Sequence, residues 1–123
     1  MTNRKSIRTV SQYEPSAAGV EELDAALDAV GDRTRRQILE VLRDGPLPVA
    51  RLAEALPVTR PAVSQHLKVL KEAGLVVDRA AGTRRLYELD PAGIAALQRY
   101  MSGLWTSALE RFAESAAEGK ETT

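Results

Sequence analysis

Between two stretches of helical periodicity the chain has only "PVT", residues 57–59, in which to turn. Before it, Leu52, Ala53 and Leu56 recur at helical spacing over about Val49–Leu56. After it, Val63, Leu67 and Leu70 form the inner stripe of a helix that Gly74 ends as a C-terminal cap. Thr59 is placed to cap this second helix. Pro61 falls in its first turn, where a missing N–H costs nothing. Two helices joined by a three- or four-residue turn are the pattern of a helix-turn-helix.

The flanking segments extend this unit. Leu23, Ala26, Leu27 and Val30 predict a helix over Val20–Val30 that stops at Gly31. Asp32 can cap the next helix, "RTRRQILEVLRD", which turns Ile38, Leu39, Val41 and Leu42 inward and ends at Gly45-Pro46. Downstream, Val76 and Val77 open one strand and Leu86, Tyr87 and Leu89 mark another, with "AAGT" as the turn between them. A hairpin directly after a helix-turn-helix is a wing. Asp90-Pro91 then starts a last helix ending near Ala117; at ~1.5 Å per residue, its roughly 26 residues span about 39 Å. The expected fold is mainly α, with some β: a winged helix-turn-helix with a two-stranded hairpin wing and a long C-terminal dimerisation helix. Residues 1–19, rich in Thr, Ser, Gln, Pro and Gly, read as a flexible arm, 20–117 as the DNA-binding and dimerisation domain, and 118–123 as a flexible tail.

The second helix of such a unit enters the major groove, where base edges both donate and accept hydrogen bonds. With Val63, Leu67 and Leu70 inward, the outer face holds Arg60, Pro61, Ser64, Gln65 and Lys68. Gln65 suits adenine and Arg60 suits guanine, each in a bidentate manner; Lys68, further along, suits a phosphate. Arg84 and Arg85 follow the wing's glycine turn and suit a narrow minor groove or phosphates. His66, the chain's one histidine, lies at the edge of the inner stripe and reads as structural rather than as a base contact or metal ligand.

Net charge is zero, which speaks against a nucleic-acid partner until its distribution is followed. Asp32 to Arg85 carries 11 Lys/Arg against 6 Asp/Glu, whereas residues 1–31 carry 3 against 5 and residues 86–123 carry 3 against 6. Local patches, not totals, make an electrostatic footprint. On the last helix Ile94, Leu97, Met101, Leu104, Trp105, Ala108 and Phe112 recur at three- and four-residue steps. A pure core reading needs one domain to shield that whole length, and a core from 123 residues is modest, so pairing with a second copy is the expectation. The predicted dimer seam is Leu97, Met101, Leu104, Trp105, Ala108 and Phe112, helped by Leu23 and Leu27.

The chain resembles the ArsR family of bacterial winged-helix repressors. The resemblance rests on "VGDRTRRQIL" (30–39), "SQHLKVLKEAGLV" (64–76) and "GTRRLYEL" (82–89), and covers about residues 21–113. It implies a homodimeric repressor of its own or neighbouring genes, released from DNA by a signal. Arg33 stands where family members commonly have Pro. The family's metal sensors carry a Cys-x-Cys-type motif at the start of the third helix, which here reads "LPVARLAEAL". Others carry Asp and His ligands on the last helix, which here has no histidine. The resemblance is therefore to the branch without those metal ligands, and its effector is unidentified.

No cysteine means no disulfide or thiolate site, and no stretch approaches 18 apolar residues, so no membrane span or membrane partner is expected. The start of the chain lacks the apolar region of a secretory signal, which makes the cytoplasm the expected compartment. There is no nucleophile–base set and no glycine-rich phosphate loop, so neither an enzyme nor a cofactor nor a metal site is expected. Glu110 and Glu114, four residues apart, read as a solvated face. The expected partners are double-stranded DNA, at a palindromic operator, and a second copy of the chain. Two alternatives stand beside the repressor: a winged helix used as a protein-interaction module, and an activator with the same DNA-binding mode.

Overall fold

The computed structural model describes residues 17–122. Of the expected N-terminal arm, residues 1–16 lie outside the described residues, and 17–19 are helical, continuous with the first helix expected from Val20. The elements in order are α1 (Ala17–Ala29), α2 (Arg33–Val41), a 3-10 turn (Leu42–Asp44), β1 (Leu47–Pro48), α3 (Val49–Ala55), α4 (Arg60–Glu72), β2 (Val76–Ala81), β3 (Arg84–Leu89) and α5 (Pro91–Thr122). The winged helix-turn-helix is thus present, with α3 and α4 as its two helices and β2–β3 as the wing.

Local chemistry accounts for each boundary. The Asp32 carboxylate accepts the Arg35 N–H at 3.0 Å and caps α2. Arg35 and Arg36 reach back to the open end of α1: Arg35 Nε donates to the Ala29 carbonyl at 2.8 Å, and Arg36 Nη1 to that of Val30 at 2.6 Å. Two cations thereby satisfy orphan carbonyls at the negative end of a helix. Thr59 Oγ1 accepts the Ala62 N–H at 3.3 Å and caps α4, with Pro61 in the first turn.

At the far end of α4, Gly74 has φ +77°. Its N–H donates to Lys71 O, and the Leu75 N–H to Leu70 O, each at 3.0 Å. This is a Schellman motif, which drops Leu75 directly into the core. Asp90 caps α5 through the Ala92 N–H at 3.0 Å, and its own N–H donates to Leu75 O at 2.9 Å. Gly93 then packs against the same corner. A Cβ there would lie 1.8 Å from the Gly74 carbonyl oxygen, so only glycine lets α5 start here.

The core is apolar throughout. Ile38, Leu52, Val63, Leu67, Leu70, Leu75 and Val76 are its largest fully buried members, drawn from α2, α3, α4, the α4–β2 corner and β2, and no polar side chain among the described residues is buried. Tyr87, Leu89, Ile94 and Leu97 pack against it from the wing root and the start of α5. The α3–α4 link is four residues, 56–59, because Leu56 leaves the helix in an extended conformation.

Three details differ from the sequence expectation. The hairpin turn is only Gly82-Thr83. Ala80 and Ala81, expected in the turn, belong to β2 and pair with Arg85 and Arg84. Gly82 has φ +66° and among the described residues no non-glycine residue has positive φ, as a two-residue type II′ turn requires. The sheet also has a third strand. Leu47 pairs with Tyr87 and Pro48 with Leu86, extending the wing on the β3 side. Two residues show no period, and their proline fits only an edge. Finally, α5 is 32 residues long, so helical backbone occupies 118–122, where a tail was expected.

Candidate nucleic-acid interface

Burial of its apolar stripe fixes the rotation of α4 about its axis. Val63, Leu67 and Leu70 are 0–1% exposed, and Arg60, Pro61, Ser64, Gln65 and Lys68 all face solvent. The polar set expected at base edges and phosphates therefore occupies one continuous outer face. Among the described residues, Arg60 and Lys68 have no ion-pair partner. Glu72, which also faces outward, ends that face on a negative charge. A recognition helix reads bases from its N-terminal part, so this carboxylate falls at the distal end.

His66 is half-buried on the flank of α4. The Arg35 N–H foremost, and then the charge of Arg35, hold the Asp32 carboxyl below the usual carboxylate range against an opposing effect of burial. Among the described residues no three His, Cys, Asp or Glu side chains converge as metal ligands would.

The wing arginines part company. In a strand successive side chains alternate between faces. Arg85 pairs with Ala80 and Tyr87 with Asp78, so Asp78 and Arg85 are diagonal neighbours on the face turned to α4. Arg85 Nη1 lies 3.0 Å from Asp78 Oδ2, and Lys71 Nζ of α4 lies 2.8 Å from Asp78 Oδ1. Asp78 is only 9% exposed at its side chain, while both its partners are more than half exposed. Lys71 foremost, and Arg85 behind it, hold this carboxyl below its usual range, with burial opposing them. Arg84 is on the other face, exposed and, among the described residues, without a hydrogen bond or ion pair. Arg79 and Glu88 pair there at 3.4 Å.

Much of the basic excess is accordingly spent. Arg35 and Arg36 cap α1, and Arg43, Arg51, Lys71, Arg79 and Arg85 have carboxylate partners. Among the described residues of 32–85, Arg33, Arg60, Lys68 and Arg84 remain unpaired.

Comparison with known proteins agrees with this geometry. Residues 32–77, from the α2 cap to the start of the wing, match the family "bacterial regulatory protein, arsR family". The chain is 57% identical over 100 residues to the HTH-type transcriptional regulator Rv2034 of Mycobacterium tuberculosis, covering 80% of this chain and 94% of that protein. The chain belongs to the ArsR family. This ArsR-family protein is therefore a transcriptional regulator with a winged helix-turn-helix DNA-binding domain. It is 36% identical over 62 residues to the transcriptional repressor SdpR of Bacillus subtilis, covering 50% of this chain and 69% of that one. It also superposes with TM-score 0.62 and 28% identity on the homodimeric winged helix-turn-helix DNA-binding domain of Mb0332 from Mycobacterium bovis. That match covers 80% of this chain and 93% of the other.

The expected seam residues divide in the same way as the wing arginines. Leu97 packs against the protein's own core, and Leu23 and Leu27 are half-buried. Met101, Leu104, Trp105, Ala108 and Phe112 are exposed. Tyr100, three residues after Leu97, and Leu109, four after Trp105, were not among the expected seam residues, yet both are large exposed apolar side chains alongside that stripe. Asp78 and Lys71 also escaped the sequence reading. Their signal needed the register of the hairpin, which a four-residue "AAGT" turn misplaces. Among the described residues no helix is long and apolar enough to cross a membrane.

Proposed function

We propose that this ArsR-family regulator is a homodimeric repressor that binds an imperfect palindrome in the promoter of its own or neighbouring genes, in the cytoplasm, and is released by a signal. The observation that carries the DNA contact is the two-faced α4, apolar and buried on one side, with Arg60, Pro61, Ser64, Gln65 and Lys68 exposed on the other. Gln65 and Ser64 face base edges, Arg60 a guanine and Lys68 a phosphate. The wing adds a cation in the minor groove or on phosphates.

The dimer reading is supported by the outer part of α5. Trp105 is 66% exposed and Phe112 73%, with Met101 and Leu104 between them and the core. So much aromatic and aliphatic surface in one stripe marks an association face. The homodimeric Mycobacterium bovis relative points the same way, as the repressor from Bacillus subtilis does for the sign of regulation. A two-fold dimer sets two recognition helices about 34 Å apart, one turn of DNA or a multiple of it.

The test is a footprint of the purified protein on the DNA upstream of its own gene, with transcription from the same template measured in parallel. Protection of two half-sites one or two turns apart, with less transcript, is the expected result. Protection with more transcript makes it an activator. No preference for any promoter over random DNA moves the winged helix to protein recognition.

A further inference from the structure

We infer that Asp78 is a positioning residue for DNA binding: its carboxylate latches the wing to the recognition helix, so that Arg84, not Arg85, is the cation the wing presents to DNA. The inference deepens the DNA-facing role proposed above for α4 and the wing, and it rests on that reading.

Each carboxylate oxygen has its own cation, and the two cations come from different elements. Oδ1 holds Lys71 at 2.8 Å, near the end of α4, and Oδ2 holds Arg85 at 3.0 Å, at the start of β3. A two-stranded ribbon is free to swing about its root, because hydrogen bonds within it do not fix its angle to the helix. The root here is set by Val76, Leu89 and the short β1 edge. Asp78 stands at the level of that root, opposite Tyr87, and from there its carboxylate reaches Arg85 further along the ribbon and Lys71 of α4. A carboxylate this withdrawn from solvent, with a cation on each oxygen, is a directional tie and not a loose surface pair. Arg85 is thereby turned along the ribbon towards its partner. Arg84, paired with Ala81 on the opposite face next to the Gly82 turn, has nothing to hold it and a whole guanidinium to offer.

The latch and plain electrostatics predict opposite signs. Removing a negative charge from a DNA-facing surface, by itself, tightens binding and steepens its salt dependence. If Asp78 instead positions the wing, Asp78→Asn frees the ribbon, takes Arg84 out of register, and weakens binding despite the gain in positive charge.

The experiment measures affinity of the full chain across a salt series, on the promoter duplex and on a random-sequence duplex, for Asp78→Asn, Asp78→Glu, Arg84→Ala and Arg85→Ala. Arg84→Ala should lower the salt slope by about one on both duplexes. Asp78→Asn should weaken promoter binding roughly tenfold and lower the slope towards that of Arg84→Ala. Asp78→Glu should recover part of both. On a background lacking both cations, Lys71→Met with Arg85→Met, Asp78→Asn should add little, since its carboxylate then has no partner left to hold. Tighter binding and a steeper slope for Asp78→Asn overturn the latch. If Arg84→Ala changes nothing on either duplex, the wing does not face DNA and the underlying reading fails instead. Should Asp78→Asn melt well below the parent, Lys71→Met and Arg85→Met replace it in a double-mutant cycle. Coupled losses of affinity in that cycle support the latch, and additive losses overturn it.

Discussion

α4 and the outer part of α5 carry the same kind of sequence signal, and the protein treats them in opposite ways. Each has an apolar stripe at three- and four-residue steps. In α4 that stripe, Val63, Leu67 and Leu70, is sealed in the protomer's own core. In α5, Ile94 and Leu97 reach that core, and from Met101 onward the stripe stands in solvent. Periodicity reports which face of a helix is apolar, but not what covers it. The cover depends on where the helix leaves the domain, and α5 leaves after its second turn because Gly93 fixes its start against the α4–β2 corner. The polar faces differ as well. That of α4 is a presented surface, while that of α5, with Gln98, Ser102, Thr106 and Glu110, reads as solvated.

The sharpest way to break this comparison is a charge in the exposed stripe of α5. Trp105→Glu costs one protomer little, because the side chain is already largely in water. In a two-fold seam it buries an unpaired carboxylate twice, at roughly 3–5 kcal/mol each. Light scattering should show monomer with an unchanged fold by circular dichroism. A dimer that survives places the seam elsewhere.

Second in size is the same truncation made in both stripes. Leu67→Ala should cost about 2–5 kcal/mol of unfolding free energy, since it opens a cavity in a closed core. Leu104→Ala should leave the stability of the dissociated protein almost untouched and weaken association. Equal losses at protein concentrations where the chain is monomeric would mean that α5 is covered within one protomer.

A smaller effect separates reading from packing on α4. Gln65→Ala should cost ~1–3 kcal/mol on the promoter duplex and relax preference at one base position. Binding to random DNA should hardly change, because a neutral side chain releases no counterions. Equal loss on both duplexes would make Gln65 a support for the helix and not a reader of bases.

The smallest effect is in pH. The Asp78 carboxyl lies below its ordinary value of 3.8 in the folded protein. Its contribution is therefore fully present above that value and is lost as pH falls through the lowered native value. Amide signals of the wing should shift in this acid window in the parent, and not in Asp78→Asn. An identical titration in both would assign the change to another group, with Asp32, also lowered, the first to check by Asp32→Asn.

Much of this fold was legible because its signals are local. The Asp32 and Thr59 caps, Pro61 in the first turn, Gly74 at the end of α4 and the inner stripe of α4 each depend on residues within a turn or two of one another, and all stand where the sequence put them. Boundaries that depend on neighbours were less legible. β1 exists only because β3 lies beside Leu47 and Pro48, and the hairpin is longer than expected because pairing with Arg84 and Arg85 recruits Ala81 and Ala80 from the turn.

The sequence by itself determined the order of the five helices and the hairpin, the faces of α4, the absence of cysteine chemistry and the apolar stripe on the last helix. All of these follow from residue type and spacing along one chain. Tertiary structure alone decided how the charges are used. It committed Arg35 and Arg36 to the carbonyls of α1 and Lys71 and Arg85 to Asp78, and it left Arg60, Lys68 and Arg84 free. Charge carries no information about its partner, because a Coulomb interaction needs only proximity, and residues 71, 78 and 85 become neighbours only when a helix end and a two-residue turn bring them together.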